Sequence, residues 1–505
     1  MVENTAQRGT ARQSRRAAIV DLGSNSVRMV VYEGVARNPV PIFNEKATLR
    51  LGAGLEATGL LSEEGIERAL EVLARYQVIG QAMGVQPFDV LATAAVRDAR
   101  NGAEFVRAAQ MRMPGARFRV LNGEEEADYS ATGVLCALPA ADGIVADIGG
   151  GSLELIRVRD GAYFDAGTTP LGVIRLRERS EDDLEKAAAI ARKTLADVAW
   201  LEDAKGKPLY LVGGAFRALA RLHMARTDYP LNMVHLFCLN RQEAVEMAEW
   251  ITGASRKQME KIGNVPRKRM VDAPFAAQVL LALLDKTDAP EVIFSAEGLR
   301  EGWYMREVAA CVADEEPMEA LAGEMAGRLG RNASFAGPLH AWLAPVFLFG
   351  LGWKDDAFLS LQFRLACMVS DIGSYDHPQY RAEQTYRRLL YCHGVGFSHE
   401  SRAFLALVLA GRYDMDRESP VLEPSRRLLS KEYYEAAIRL GQAFRLVYML
   451  CAGTEVLLEE THLALKDEDQ LVLNLHGSRL RSGGNAVSRQ LSRLAESLGV
   501  EADLR

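Results

Sequence analysis

Ile144-Val145-Ala146-Asp147-Ile148-Gly149-Gly150-Gly151-Ser152 is the stretch that decides the fold. An apolar run ends on Asp, then one apolar residue leads into three glycines and Ser. Nearly the same string stands earlier, as Ala18-Ile19-Val20-Asp21-Leu22-Gly23-Ser24-Asn25-Ser26. Each apolar run reads as a buried strand that ends in a tight turn. Glycine and serine in such a turn let backbone N–H groups and a hydroxyl close around an anion. Two copies, one in each half of a duplicated fold, predict a phosphate chain held from both sides. The phosphate-binding candidates are therefore Gly23, Ser24, Asn25 and Ser26 with Gly149, Gly150, Gly151 and Ser152.

Outward from these strings, strands alternate with helices twice over. The first half carries a hairpin at 17–33, a helix at 62–83, a strand at 88–93, a helix at 101–113, a strand at 117–121 and a helix from 122 to about 136. The second carries a strand–loop–strand at 143–158, a helix at 181–203, a strand at 208–214 and a helix at 216–225, then a strand at 292–295 and a further helix. That pattern predicts two α/β domains with a cleft between them. Beyond about residue 306 the periodicity is helical as far as 448. The tail carries two alternating runs, 454–465 and 470–476, then a helix at 485–498, with Gly483-Gly484 as a linker. The expected division is an arm at 1–16, α/β domains at 17–127 and 128–306, a helical domain at 307–450 and a small α+β domain at 451–505.

Composition bounds the function. The chain has 505 residues, 49% hydrophobic and 25% charged, with a net charge of −7. The whole-protein field therefore repels polyanions, which argues against a general nucleic-acid binder and requires a local basic surface for any phosphate chain. Six scattered cysteines without a C-x-x-C pair fit buried thiols in a reducing cytoplasm. No stretch reaches the roughly 20 apolar residues of a bilayer span. The nearest, 339–353, holds His340 and Pro345 and reads as a core helix. Residues 1–16 lack the apolar core of a signal peptide; Arg8, Arg12, Arg15 and Arg16 read as a solvated arm.

Several side chains carry candidate chemistry. A carboxylate at a strand end is costly unless it meets a metal or donors. Asp147 and Glu154, with Asp21 from across the cleft, are the metal-binding candidates, since Mg²⁺ takes a few carboxylates plus water and substrate oxygens. Glu124-Glu125-Glu126 opens a helix that falls in the cleft. Acids there suit the helix dipole, yet three exceed what a cap requires, and one is placed to take a proton from an attacking water. Arg97, after the strand at 88–93, is placed either to neutralise a transferring phosphoryl group or to pair with Asp98. Gly213-Gly214 ends a strand and permits close approach of a phosphate or nucleotide. Ser370-Asp371 stands where a metal-binding helix bundle would carry His-Asp. Nearby His340, His377, His393 and His399 read as surface or core histidines. Arg381, Arg387, Arg388, Arg426 and Arg427 read as a polyanion path or as solvated helix faces.

Taken in order, 20–26, 93–97, 122–127, 147–154 and 295–302 resemble the exopolyphosphatase/guanosine pentaphosphate phosphohydrolase family. That family lies within the superfamily of actin, the acetate and sugar kinases and the heat-shock ATPases. The resemblance spans 17–305, with a looser match beyond. It implies a duplicated actin-like ATPase/sugar-kinase-like (ribonuclease H-like) α/β fold, then an α-helical HD-like domain and a small α+β tail. It also implies release of terminal orthophosphate from inorganic polyphosphate with Mg²⁺, Mn²⁺ being the alternative. Glu126 is implied as general base and Arg97 as its catalytic companion. Asp21, Asp147 and Glu154 are implied at the metal, and the two turns and Gly213-Gly214 at the phosphates. A cytoplasmic homodimer is implied, with pppGpp or ppGpp as competing substrate or inhibitor. Ser370 departs from the family's His-Asp, and Gly213-Gly214-Ala215 from its three glycines. The competing readings are a pppGpp 5′-phosphohydrolase, a small-molecule kinase of the same superfold and a non-catalytic polyphosphate or ppGpp sensor.

Overall fold

The computed structural model describes residues 16–34, 36–262, 266–466, 469–476 and 484–505. Most of the expected N-terminal arm, with Arg8, Arg12 and Arg15, lies outside the described residues, as does Gly483. Arg16 opens the first strand, and its guanidinium donates to Met83 O at 3.1 Å. The chain forms two compact units, Met1–Glu315 and Glu316–Arg505.

In the first unit, β1 (Arg16–Leu22), β2 (Ser26–Tyr32), β3 (Pro41–Thr48), β4 (Val85–Ala92) and β5 (Arg117–Val120) form one sheet, ordered β3-β2-β1-β4-β5. A second sheet contains β6 (Gly143–Ile148), β7 (Leu153–Arg159), β8 (Ala162–Thr169), β9 (Leu209–Val212), β10 (Phe237–Asn240) and β11 (Glu291–Phe294). Its order is β10-β11-β9-β6-β7-β8. From β8 inward the sequence β8-β7-β6-β9-β11 repeats the plan of the first sheet. In each, an antiparallel hairpin continues into parallel strands. The likeness of the two strings is thus a likeness of fold, with β10 as an added edge strand on β11.

Alternation along the central strands explains the layering. Ala18, Val20 and Leu22 enter one core of the first sheet, with the helix α1 (Glu63–Met83) and Phe105. Ala17 and Ile19 enter the opposite core, with Trp303 and Tyr304. β6 repeats this, with Ile144, Ala146 and Ile148 on one side and Val145 on the other. Trp303 and Tyr304 belong to a helix late in the unit, Leu299–Glu307, which returns to the first sheet. There Trp303 Nε1 donates to Asp89 at 2.8 Å and Tyr304 OH to Ala36 O at 2.7 Å.

The helix expected over 181–203 is shorter. It runs Leu184–Ala196, starts on an Asp183 cap, and gives way to a 3₁₀ turn at Ala199–Ala204. β3, β8 and β10 are absent from the sequence reading, because β3 and β8 mix polar and apolar residues on solvent-facing strands and β10 has four residues.

The second unit packs helices Pro317–Leu329, Ala357–Val369, Arg381–Leu390, His399–Arg412 and Lys431–Cys451. With them is a three-stranded sheet, β12 (Thr461–Lys466), β13 (Gln470–Leu475) and β14 (Glu501–Leu504), in that order. The alternating run at 454–465 divides into a helical turn, Glu455–Glu459, and β12. The apolar stretch read at 339–353 as a core helix overlaps one longer segment. Ala333–Gly350 is helical, 18 residues long and apolar enough by composition. It carries core side chains of this unit: Phe335, Leu339, Leu343, Val346 and Phe347 are buried, and Trp342 Nε1 donates to Thr461 O at 3.1 Å.

Asp371 is engaged by arginines. Arg331 donates to both its oxygens at 2.8 and 2.9 Å, and Arg412 donates to Oδ1 at 2.8 Å. The Arg412 guanidinium lies between the rings of Tyr448 and Tyr413. These hydrogen bonds hold the Asp371 carboxyl below its usual range despite burial. Ser370 hydrogen-bonds Tyr448 at 2.8 Å. Three of the five arginines that suggested a polyanion path pair with acids instead, Arg387 with Glu383, Arg388 with Asp376 and Arg426 with Glu423.

Candidate active site

Both hairpin turns are built alike. Gly23 N donates to Ser26 O at 3.0 Å and Gly149 N to Ser152 O at 2.9 Å. Their carbonyls are held from behind. Ser24 O accepts from Gly52 N, Asn25 O from Leu49 N and Arg50 N, and Gly150 O from Ile174 N and Arg175 N. The N–H groups of Ser24, Gly150 and Gly151 have no acceptor among the described residues. The two turns face each other: a side chain on Gly150 would begin 3.1 Å from Ser24 Oγ. The geometry is that of two opposed donor loops.

Strand register places the carboxylates. Asp21 lies opposite Arg28, and Arg28 opposite Lys46. At the equivalent place in the second sheet, Asp147 lies opposite Glu154 and Glu154 opposite Thr168. Directly opposed residues project to one face. The duplicated site thus has a cation, Arg28, on one side where it has a carboxylate, Glu154, on the other. Asp147 also accepts from Ser130 Oγ at 2.5 Å. Its Oδ1 leaves no room at Gly213, where a side chain would begin 3.0 Å from that oxygen and 2.3 Å from Ile148 O. Gly213 also has φ +101°, a conformation that suits glycine. Gly213 therefore serves the packing around Asp147. Gly214 lies under the Arg269 guanidinium, 2.5 Å from where its side chain would begin.

The three consecutive glutamates separate by role. Asn122 caps the helix Gly123–Ala137 by accepting from Glu125 N at 2.8 Å, and Glu125 returns the bond to Asn122 N at 2.9 Å. Glu125 also pairs with Arg119. Glu124 lines a cavity of about 520 Å³ with Asn122, Gly123, Ala166, Gly167 and Thr168. Glu126 is the buried one, 8% exposed. Arg97 donates to it at 2.5 Å, and also to Leu121 O at 2.9 Å and Asp98 at 3.2 Å.

Burial governs the protonation of these acids. It pushes the Glu126 carboxyl up to about 7, against Arg97 and with help from Asp147 and Asp21. Glu154 is pushed up to about 8 by burial, then by Asp147 and Glu126. Asp21 and Asp147 are raised for the same first reason. Four carboxyl groups thus feel one another in a partly dry cleft. Among the described residues no three His, Cys, Asp or Glu side chains form one metal-ligand set. Asp21, Asp147 and Glu154 are therefore not gathered as a ready triad. Asp147 and Glu154 are neighbours, and Asp21 faces Arg300, 3.9 Å away.

Sequence reasoning missed the cations. Arg28, Lys46, Arg217, Arg269 and Arg300 come from β2, β3 and three helices. Lys46 is pushed down to about 8 by burial, then by Arg269, Arg28 and Arg217. Arg217 is pushed down to about 10 by burial, then by Arg300 and Arg28. Five cations thus gather among the site carboxylates, a local cluster of positive charge of the kind that a phosphate chain needs on a protein of net charge −7. One signal was available. Once the turn is fixed at 23–26, position 28 falls opposite Asp21.

The chain matches the Ppx/GppA phosphatase family over residues 30–310 and the exopolyphosphatase C-terminal family over 321–504. It belongs to the Ppx/GppA phosphatase family. Exopolyphosphatase 2 of Mycobacterium tuberculosis (strain ATCC 25618 / H37Rv) is 29% identical over 266 residues, which cover 48% of this chain and 82% of that protein. The crystal structure of the Aquifex aeolicus member of the Ppx/GppA family aligns with a TM-score of 0.51 at 24% identity, covering 60% of this chain and 99% of that one. An exopolyphosphatase from Cytophaga hutchinsonii ATCC 33406 aligns with a TM-score of 0.53 at 22% identity, covering 58% and 99%. At these identities the two structures speak to the fold alone.

Proposed function

We propose that this chain is an exopolyphosphatase that removes terminal orthophosphate from linear inorganic polyphosphate. The observation that carries the reading is the pair of facing donor turns with buried Glu126 beside them. Ser24, Gly150 and Gly151 offer N–H groups, and Ser24 a hydroxyl, to phosphoryl oxygens. Glu126, held by Arg97, takes a proton from water as the water attacks the terminal phosphorus in line. Preorganised donors and guanidinium groups stabilise the charge that develops on the oxygens. The carboxylate surplus around Asp147 fits a divalent cation. Asp147 and Glu154, the neighbouring pair, would hold Mg²⁺ or Mn²⁺ with water completing the shell, and the cation when bound supplies positive charge at the phosphoryl oxygens.

Protonation gives this fit a readout apart from turnover. Glu126 and Glu154 sit at about 7 and about 8 in the folded chain, above the ordinary 4.5. The fold therefore keeps protons that the unfolded chain releases. Their stabilising contribution is complete below pH 4.5 and is lost as pH rises through 7 to 8. The metal-free protein should lose melting temperature between pH 6 and 8.5, with a shallower slope in Glu154→Gln. Mg²⁺ should raise the melting temperature more at pH 8 than at pH 6. An equal Mg²⁺ effect at both values would remove these carboxylates from cation binding.

The second substrate is pppGpp, whose triphosphate end presents the same chemistry. Arg28 and Lys46 near Asp21, Arg217 near Asp147, and Arg269 near Lys46 favour the longer phosphate chain, because they offer it several cations at once. Phosphate release from tripolyphosphate, long-chain polyphosphate and pppGpp, measured in competition, ranks them. The expected order places long polyphosphate first by at least tenfold in kcat/KM. Preference for pppGpp would overturn the assignment. We also propose that the helices of the second unit form an HD-like bundle whose metal position has become structural, since Asp371 is occupied by Arg331 and Arg412.

A further inference from the structure

Among the arginines at the candidate site, Arg97 and Arg300 differ in what they already hold. Arg97 is committed to Glu126, Leu121 O and Asp98. Arg300 is 9% exposed, and its guanidinium makes no hydrogen bond to any described residue. Its nearest carboxylate oxygen, Asp21 Oδ2, stands at 3.9 Å, beyond hydrogen-bond reach. Its guanidinium carries five N–H donors, and its nitrogens reach solvent rather than lying sealed without a partner.

Its surroundings keep it in place without engaging its donors. Arg300 lies in the first turn of the helix Leu299–Glu307. At that turn Glu301 accepts from Tyr32 OH at 2.8 Å and from Gly298 N at 3.0 Å. Glu301, Asp21, Tyr32 and Glu297 surround the cation and hold its charge. Gly298, two residues earlier, lies 3.9 Å from Asp147 Oδ2, measured from where its side chain would begin. Arg300 therefore stands between the aspartates that end the two central strands, and each leads into one donor turn. An unfilled guanidinium fork there matches the geometry of two phosphoryl oxygens.

We propose that Arg300 is a direct ligand of the phosphoryl chain between the two turns, and that Arg97 is a positioning residue acting through Glu126. The inference rests on the exopolyphosphatase reading and assigns the guanidinium contact within it. No bond is made or broken by Arg300. It binds oxygen in the ground state and in the transition state, and its loss acts on affinity.

The experiment titrates tripolyphosphate calorimetrically into the full chain carrying Glu126→Gln, alone and combined with Arg300→Gln, Arg300→Lys or Arg97→Gln. Arg300→Gln should weaken binding about 10- to 100-fold, from the loss of charged hydrogen bonds. Arg300→Lys keeps the charge but not the fork and should fall between. Arg97→Gln should change affinity less than about threefold. With Glu126 intact, Arg300→Gln should raise KM, and Arg97→Gln should lower kcat with KM nearly unchanged. Should Arg300→Gln fail to fold, Arg300→Lys carries the test, and wild-type affinity in it overturns the proposal. Binding by the parent that neither Arg300 variant weakens overturns this inference alone. A parent that binds no tripolyphosphate overturns the exopolyphosphatase reading and this inference with it.

Discussion

Glu126→Gln should lower phosphate release by about 10²- to 10⁴-fold, the usual worth of a positioned general base, and leave tripolyphosphate affinity within about threefold of wild type. The substitution keeps the side-chain length and the carbonyl that accepts from Arg97 at 2.5 Å. It removes only the capacity to take a proton. Stability should not suffer, because burial already disfavours the charged form and Asp147 and Asp21 add to that pressure. The wild-type pH profile follows with a definite sign. A base whose carboxyl sits at about 7 is mostly protonated at pH 6 and mostly ionised at pH 8. The rate should therefore rise across that interval, on a limb that the residual rate of the variant lacks. Glu154 at about 8 interacts with Glu126, so the limb reports the pair as a coupled unit. The measurement is initial rate of orthophosphate release against pH for both proteins. A variant rate within threefold of wild type would remove Glu126 from the chemistry.

The choice of Glu126 among three glutamates marks how far the sequence was legible. Spacing alone left Glu124, Glu125 and Glu126 open, and only the family resemblance selected the third. The structure supplies the physical reason. Asn122 recruits Glu125 into a capping box, which turns the next carboxylate inward. The two hairpins were legible for a local reason as well. An apolar run ending in Asp and a glycine turn fixes strand, turn and register within about ten residues.

The cations were not legible, because no local pattern gathers them. Lys46 lies on an edge strand whose alternating polar face reads as solvent, and that strand was not recognised. Arg217 and Arg269 each sit on a helix with other basic residues, and such arginines read as a solvated face. Arg300 meets Asp21 only because a helix at the end of the first unit packs on the first sheet. Such pairings depend on tertiary topology, which neither period nor spacing encodes. The Ser370-Asp371 position was legible as a departure from His-Asp. Its replacement by a carboxylate shared between Arg331 and Arg412 was not.

That returning helix carries the second large effect. Gly302→Ala should destabilise the protein by about 3 kcal/mol or more and lower activity in the fraction that folds. The helices Gly123–Ala137 and Leu299–Glu307 cross backbone to backbone. A side chain at Gly302 would begin 1.9 Å from Tyr129 O, and one at Gly133 would begin 2.1 Å from Gly298 O. Both obstacles are main-chain atoms, so no rotamer change relieves them, and the helices must separate by an ångström or more. The first helix holds Glu126 and Ser130, the partner of Asp147, and the second holds Arg300. Displacement on that scale costs on the order of 10²-fold in rate where reacting groups must align. Gly327→Ala supplies the control with the opposite sign. Gly327 is inside the exposed face of the helix Pro317–Leu329 with nothing within 4 Å of its missing side chain. There alanine should stabilise by about 0.5–1 kcal/mol through helix propensity. Denaturant melts of the two variants should move in opposite directions. A Gly302→Ala protein with wild-type stability and rate would mean that the crossing of these helices does not set the positions of Glu126 and Arg300.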